Sequence, residues 1–228
     1  MVRRIHVYAD GANLDSMKAL SKSVRGITTN PTLMRQAGIS DYRQFARDAL
    51  KAANGLPVSL EVFADDFDGM ERQAREIASF SPMAVVKIPV MNSLGQFCDR
   101  PIATLSSEGV PINVTAVMTS DQVRRIARSL QGPGAIVSIF AGRIADTGVD
   151  PEPIVADAVR VLRPCGARVL WASTREAFNI VQAERAGANI ITMTPEQIAK
   201  LANFGRDLFD YSLETVKQFK RDAEGLTL

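Results

Sequence analysis

The sequence predicts a (β/α)8 barrel, an α/β fold of the TIM type, and three observations carry that prediction. Short β-branched runs alternate about eight times with longer amphipathic runs along almost the whole chain. Such alternation makes the strands parallel, because a helical crossover joins each one to the next. The length, 228 residues, suits one large domain over 1–228, with no linker or low-complexity segment to divide it. The competing architecture, an open doubly wound sheet, usually offers a glycine-rich turn after its first strand. Here that turn reads DGANLD, without GxGxxG spacing, and no Walker sequence occurs.

In chain order, the expected strands are IHVYAD at 5–10, VRGIT at 24–28, PVSLEVF at 57–63 and MAVVKIPV at 83–90. They continue with VPINVTAV at 110–117, AIVSIFA at 135–141, ARVLWAS at 167–173 and ANIITMT at 188–194. Between them lie helical patterns: DYRQFARDALKAAN, DGMERQAREIASF, TSDQVRRIARSL, PEPIVADAVRVLRP and REAFNIVQAERAG. Several end at Gly or Asn, where a left-handed cap is expected, and two begin beside Asp or Thr-Pro start signals. A further helix at about 203–223 carries Leu208, Tyr211, Leu213, Val216 and Phe219 on one face. A closed barrel does not need that face, so it docks on its own chain or makes a subunit contact.

Composition excludes several function classes. Hydrophobic residues are 46% and charged residues 23%, the balance of a folded soluble protein and not of a disordered tail. Lys and Arg total 27 against 25 Asp and Glu, too even for a nucleic-acid footprint. Cys98 and Cys165 lie in no CxxC and read as inert thiols, and His6 is the single histidine. No disulfide framework, zinc motif or site built on two histidines is therefore expected, and no metal. The segment MVRRIHVYADGAN is neither signal peptide nor anchor, and no apolar run approaches a membrane span. The expectation is a cytoplasmic protein with no membrane partner.

In such a barrel, chemistry belongs at the C-terminal ends of the strands. Lys87 stands between Val85, Val86, Ile88 and Pro89, and is one of seven lysines. Desolvation in an apolar strand favours the free amine, the nucleophile of Schiff-base catalysis. The plainer reading is a lysine paired with a buried carboxylate. Asp10 ends the first strand and Glu61 lies in the third; each alone is as readily structural as catalytic. Three ionisable groups at the strand ends of one barrel point to function, because burying them costs stability. Arg143 follows the sixth strand, and Arg175 follows the seventh with Ser173 nearby. Together these suit a phosphate, which an arginine fork can grip with two hydrogen bonds. Arg124, Arg125 and Arg128 share one helical stretch and read as a solvated face. His6 reads as a packed or rim residue.

These residues resemble the transaldolases, in particular the small single-domain branch that also holds the fructose-6-phosphate aldolases. The resemblance runs from first strand to last, through DGAN at 10–13, GITTNPTL at 26–33, VVKIPV at 85–90, INVTAV at 112–117, FAGRIAD at 140–146 and ASTR at 172–175. It implies a barrel in which Lys87 is the Schiff-base lysine and Asp10 the acid/base of the retro-aldol step. It also implies that Glu61 and Thr115 hold a water for carbinolamine dehydration and hydrolysis. Asn30 and Asn113 would hydrogen-bond the dihydroxyacetone unit, with Ser138 nearby, and Ser173, Arg143 and Arg175 would bind phosphate. Further implications are phosphorylated sugar substrates of the pentose phosphate type, no cofactor, and a homo-oligomer of pentamer-based rings built through the C-terminal helix. Gly11 stands where the family usually has Thr, Met91-Asn92 follows VVKIPV where Thr is commoner, and Trp171 and Thr174 replace small residues and Phe. These departures bear on the sugar rather than the chemistry. The resulting expectation is transfer of a dihydroxyacetone unit from a ketose phosphate to an aldose. The rivals are an aldolase that releases dihydroxyacetone and a silent phosphosugar binder. Glu61 and Phe140, where the aldolases resemble Gln and Tyr, favour the transferase.

Overall fold

The computed structural model describes residues 5–132 and 134–227; the reading of the first four residues, MVRR, lies outside them. Eight parallel strands close into a barrel in sequence order. They are β1 His6–Asp10, β2 Ile27–Thr28, β3 Val58–Glu61, β4 Ala84–Pro89, β5 Ile112–Val117, β6 Ile136–Ile139, β7 Arg168–Trp171 and β8 Ile190–Met193. Each expected strand is present with its ends trimmed. The outer layer is α1 Leu14–Leu20, α2 Pro31–Gln36, α3 Tyr42–Ala52, α4 Phe67–Ser79, α5 Asp99–Ser107, α6 Ser120–Ser129, α7 Ala141–Ala145, α8 Glu152–Leu162, α9 Asn179–Arg185 and α10 Pro195–Lys200. The last helix, α11, spans Leu208–Asp222.

Contacts that skip a strand identify the side chains inside the barrel. Thr28 on β2 meets Thr192 on β8 across β1, with 2.5 Å between hydroxyl oxygens. Asn113 on β5 reaches Ser59 on β3 across β4, at 3.2 Å. Successive side chains on a strand face opposite ways, so this phase carries Asp10, Glu61, Lys87 and Ser138 inward too. One step lower on the same phase lie Tyr8, Val85, Ile136, Leu170 and Ile190, a separate apolar cluster that fills the barrel. Gly26 makes room for it: a Cβ there would sit 2.4 Å from the Tyr8 ring. The opposite strand faces pack with the helices in a second, larger core.

The loops above the strands are tied down by helix caps. Asn13 of the DGAN motif accepts from Ser16 N, Asn30 from Leu33 N, and Thr119 and Thr194 form capping boxes with Gln122 and Gln197. His6 is exposed on the barrel rim. Cys98 is buried, its thiol pushed up to about 11 by that burial. Helix α11 differs from the rest: none of its residues is buried, and Leu208, Phe209, Val216 and Phe219 are each more than half exposed. Its apolar face is therefore not covered by its own barrel. Among the described residues no helix is long and apolar enough to cross a membrane.

Candidate active site

The upper interior of the barrel holds a ring of polar side chains. Lys87 on β4 is 6% exposed, and its Nζ donates to Glu61 Oε2 at 3.0 Å and to the Thr29 carbonyl at 2.7 Å. Parallel registration sets Glu61 beside Lys87 and Lys87 beside Asn113. Lys87 is thus paired with a carboxylate, as its plainer reading expected, although Glu61 is only partly buried. Two contacts fix the partners. Tyr42 on α3 donates to the Glu61 carbonyl at 2.8 Å, and Thr29 is held by its own hydroxyl on the Ser59 carbonyl at 2.9 Å. Burial, then the Glu61 charge, push the Tyr42 phenol well above its usual value, so it stays a donor.

Asp10 sits on the neighbouring arc. Its Oδ1 accepts from Thr28 at 2.7 Å, and Thr28 in turn contacts Thr192. Burial raises the Asp10 carboxyl above the ordinary carboxylate range; the Thr28 hydroxyl and then the Lys87 charge oppose that rise. Across the barrel, Ser138 donates to Asn113 Oδ1 at 2.7 Å, and Asn113 donates to Ser59. Asn113 and Ser138 are fully buried. Asn30, also expected to meet substrate, accepts the α2 cap bond from Leu33 N on its side-chain oxygen.

Thr115 is the exception to this wiring. It is buried, yet its Oγ1 has no hydrogen-bond partner in the structure. The strand is irregular at that point: the β5–β6 register shifts between Val114 and Val117, and Ala116 takes a left-handed φ of 61°. Bulges re-aim side chains beside functional sites. A buried hydroxyl held without a protein partner is suited to a water or a substrate oxygen.

The arginines lie higher, on the rim. Ser173 adopts a φ of 62°, and Gly142 at the start of α7 packs so tightly that a Cβ there would lie 1.7 Å from the Ser173 carbonyl oxygen. The same approach sets the Ser173 hydroxyl 3.1 Å from that Cβ position, and the Arg143 guanidinium lies 5.5 Å from the centre of the Phe140 ring. Arg175 is exposed and forms a two-point ion pair with Asp146. The Arg175 bond, with a smaller contribution from the Arg143 charge, holds the Asp146 carboxyl below its usual range. Of the arginines expected to bind phosphate, Arg175 is paired with a carboxylate that the sequence reading overlooked, and the Arg143 charge also acts on that carboxylate. Arg124 and Arg125 are the solvated face expected, paired with Asp121, Asp157 and Asp99.

The sequence reading also passed over Thr28, Thr29, Tyr42, Ser59 and Thr192. Once Asp10, Glu61 and Lys87 are set inward, counting by two along each strand identifies Ser59. The strand registers then bring Thr28 level with Asp10 and Ser59. Tyr42 acts from outside the strands, and no local signal marks it.

A family model described as "Transaldolase/Fructose-6-phosphate aldolase" matches residues 7–227. A "Probable transaldolase" of Thermoanaerobacter sp. is 31% identical over 95% of this chain and 97% of its own length. Another of that name, from Dehalococcoides mccartyi, is 36% identical over 83% of this chain and 86% of its own. Among solved structures, deoxyribose phosphate aldolase from Aeropyrum pernix superposes with a TM-score of 0.59, over 89% of each chain. At 16% identity that likeness speaks for the fold alone.

Proposed function

The chain belongs to the transaldolase/fructose-6-phosphate aldolase family, and from that premise we propose a transaldolase-type enzyme that moves a dihydroxyacetone unit from a ketose phosphate to an aldose acceptor. The observation that carries the reading is the buried Lys87 amine, hydrogen-bonded to Glu61 in the same polar ring as Asp10. Lys87 attacks the ketone carbon, and the carbinolamine loses water to give an imine. Asp10 takes the proton of the C4 hydroxyl as the C3–C4 bond breaks, and the bond's electron pair flows into the imine to leave an enamine. The aldehyde departs, an acceptor aldehyde enters, and the enamine carbon adds to it while Asp10 returns its proton to the new alkoxide. Water then releases the ketose, with Glu61 and Thr115 handling that water. The imine formed on Lys87 is the electron sink, so the scheme calls on no further cofactor. Asn30, Asn113 and Ser138 hold the dihydroxyacetone unit, and Ser173, Arg143 and Arg175 bind phosphate.

The aldolase that releases free dihydroxyacetone is the second reading, and Glu61 with Phe140 favours transfer over it. We place the enzyme in the cytoplasm as one barrel domain with a terminal helix. The uncovered apolar face of α11 supports a homo-oligomer, of the pentamer-based kind the family resemblance implies. Borohydride reduction with a ketose phosphate should leave an adduct that mass spectrometry locates on Lys87. Lys87→Arg should show neither adduct nor turnover, since a guanidinium offers no free amine. An adduct on another lysine would overturn the assignment. No adduct at all would leave the silent phosphosugar binder.

A further inference from the structure

Asp10 must hold a proton at one stage and lack it at another, and its surroundings bear on how it does so. Its Oδ1 accepts from Thr28, and Thr28 lies 2.5 Å from Thr192. Thr28 is 3% and Thr192 5% exposed, so bulk water replaces neither contact. A hydroxyl has one proton. When Asp10 is ionised, the Thr28 proton points at Asp10, and the short contact to Thr192 can only be a bond that Thr192 donates. The Thr174 hydroxyl lies 3.0 Å from the Thr192 carbonyl and 2.6 Å from Gln197 Oε1, two acceptors that share its one proton. Among the described residues, Asp10 Oδ2 has no hydrogen-bond partner.

We propose that Thr192 is a positioning residue for the proton step: by donating to Thr28 it commits the single Thr28 proton to Asp10 Oδ1 and leaves Oδ2 as the oxygen that exchanges a proton with the substrate. The same chain serves the other state. When Oδ2 carries the proton taken from the substrate, Oδ1 is a carbonyl oxygen that still accepts from Thr28, so both forms keep a bonded Oδ1. The chain is neutral, and two hydroxyls in series polarise each other more than one alone. Lys87 on β4 is the charged side chain that acts on Asp10, and its own partner is Glu61 on β3. Thr28 from β2 and Thr192 from β8 bring no charge. Glu196 at the start of α10 shares with Asp10 the lining of a cavity of about 430 Å³.

This inference rests on the transaldolase-type reading, and the test separates the two. A bond donated to Oδ1 favours the carboxylate, so weakening it raises the carboxyl's pKa and moves the acidic limb of kcat to higher pH. Thr192→Val keeps the branched shape and removes the donor. It should lower kcat about two- to ten-fold, leave KM for the ketose phosphate unchanged, and move the acidic limb up by about half a unit. Thr28→Val should move the limb further in the same direction, and Thr192→Ser should restore both limb and kcat. If valine is not tolerated, Thr192→Cys gives the same comparison with a weak donor in place. Borohydride trapping on Lys87 should survive in Thr192→Val, because amine attack does not use Asp10. An acidic limb that moves in Thr28→Val but not in Thr192→Val would end the chain at Thr28 and overturn the proposal. A loss of kcat equal at every pH and not restored by serine would reduce Thr192 to packing, and also overturn it. A wild-type protein that traps no adduct would overturn the enzymatic reading, and this proposal with it.

Discussion

On β1, β4, β6 and β8 the upper and lower halves of the barrel interior are separated by two residues, and they are chemically opposite. Tyr8 lies below Asp10, Val85 below Lys87, Ile136 below Ser138 and Ile190 below Thr192. Both halves are reached by the same backbone in the same phase, so the strands deliver position and only residue type decides chemistry. The lower half is apolar and closed by shape, as the fit of the Tyr8 ring over Gly26 shows. The upper half is held by directed bonds, each side chain fixing its neighbour, with Thr115 Oγ1 left over. Buried charge is costly unless paired, so the apolar half stabilises what the polar half weakens.

Exchanging the two characters should break this division with the largest effect. Val85→Lys puts an ammonium one step below Lys87, among side chains that offer no counter-charge, and should cost about 3–5 kcal/mol in urea unfolding. The converse double variant, Lys87→Met with Glu61→Gln, removes a buried pair and should be neutral or more stable by about 1–4 kcal/mol. Its turnover should be nil. If the double variant instead unfolds readily, the Lys87–Glu61 pair is part of what holds the barrel together.

Glu61→Gln alone tests the upper half from within. A carboxylate can take a proton from water, whereas an amide can only orient it. The water-dependent imine steps should slow by about 10²–10⁴, with carbon–carbon chemistry less affected. If Glu61 acts instead by neutralising Lys87, every step that uses the amine should fall together and change its pH dependence. Single-turnover rates of imine formation and hydrolysis across pH distinguish these outcomes. Unchanged rates at every pH would dispose of both roles.

The lower half and the strand phase are legible in the sequence because they follow a period of two and a run of β-branched residues. Helix starts are less so. The helices α2 and α10 are six residues each and arise from a cap followed by proline, Asn30-Pro31 and Thr194-Pro195, rather than from apolar spacing. The strand β2 shortens from the expected 24–28 because only its last two residues pair with β3, although Arg25 and Gly26 still bond to β1. In the site, charged residues in apolar strands betray themselves, but threonines do not. Thr28 and Thr192 read equally well as ordinary strand residues until their partners across the barrel are known. The left-handed turns at Ala116 and Ser173 have no signal at all, since sequence marks positive φ mainly through Gly and Asn.

The smallest effects belong to the rim, where solvent weakens every charge. Arg143→Ala and Arg175→Ala should each raise KM for phosphorylated sugars about ten- to a hundred-fold, as expected when a charged hydrogen bond is lost. An unphosphorylated donor should be affected far less. Asp146 adds a sharper test, because it holds the Arg175 fork in the absence of substrate. A phosphate taken up by the Arg175 fork would have to displace it. Asp146→Asn should therefore act opposite to the arginine variants, lowering KM for phosphorylated sugars by up to about five-fold, the small range of exposed ion pairs. If Asp146 instead orients Arg175 for the phosphate, the same substitution raises KM and mimics Arg175→Ala. The sign of that one change decides whether the carboxylate competes with the substrate or prepares its site, and equal penalties on phosphorylated and unphosphorylated donors would make the arginines structural.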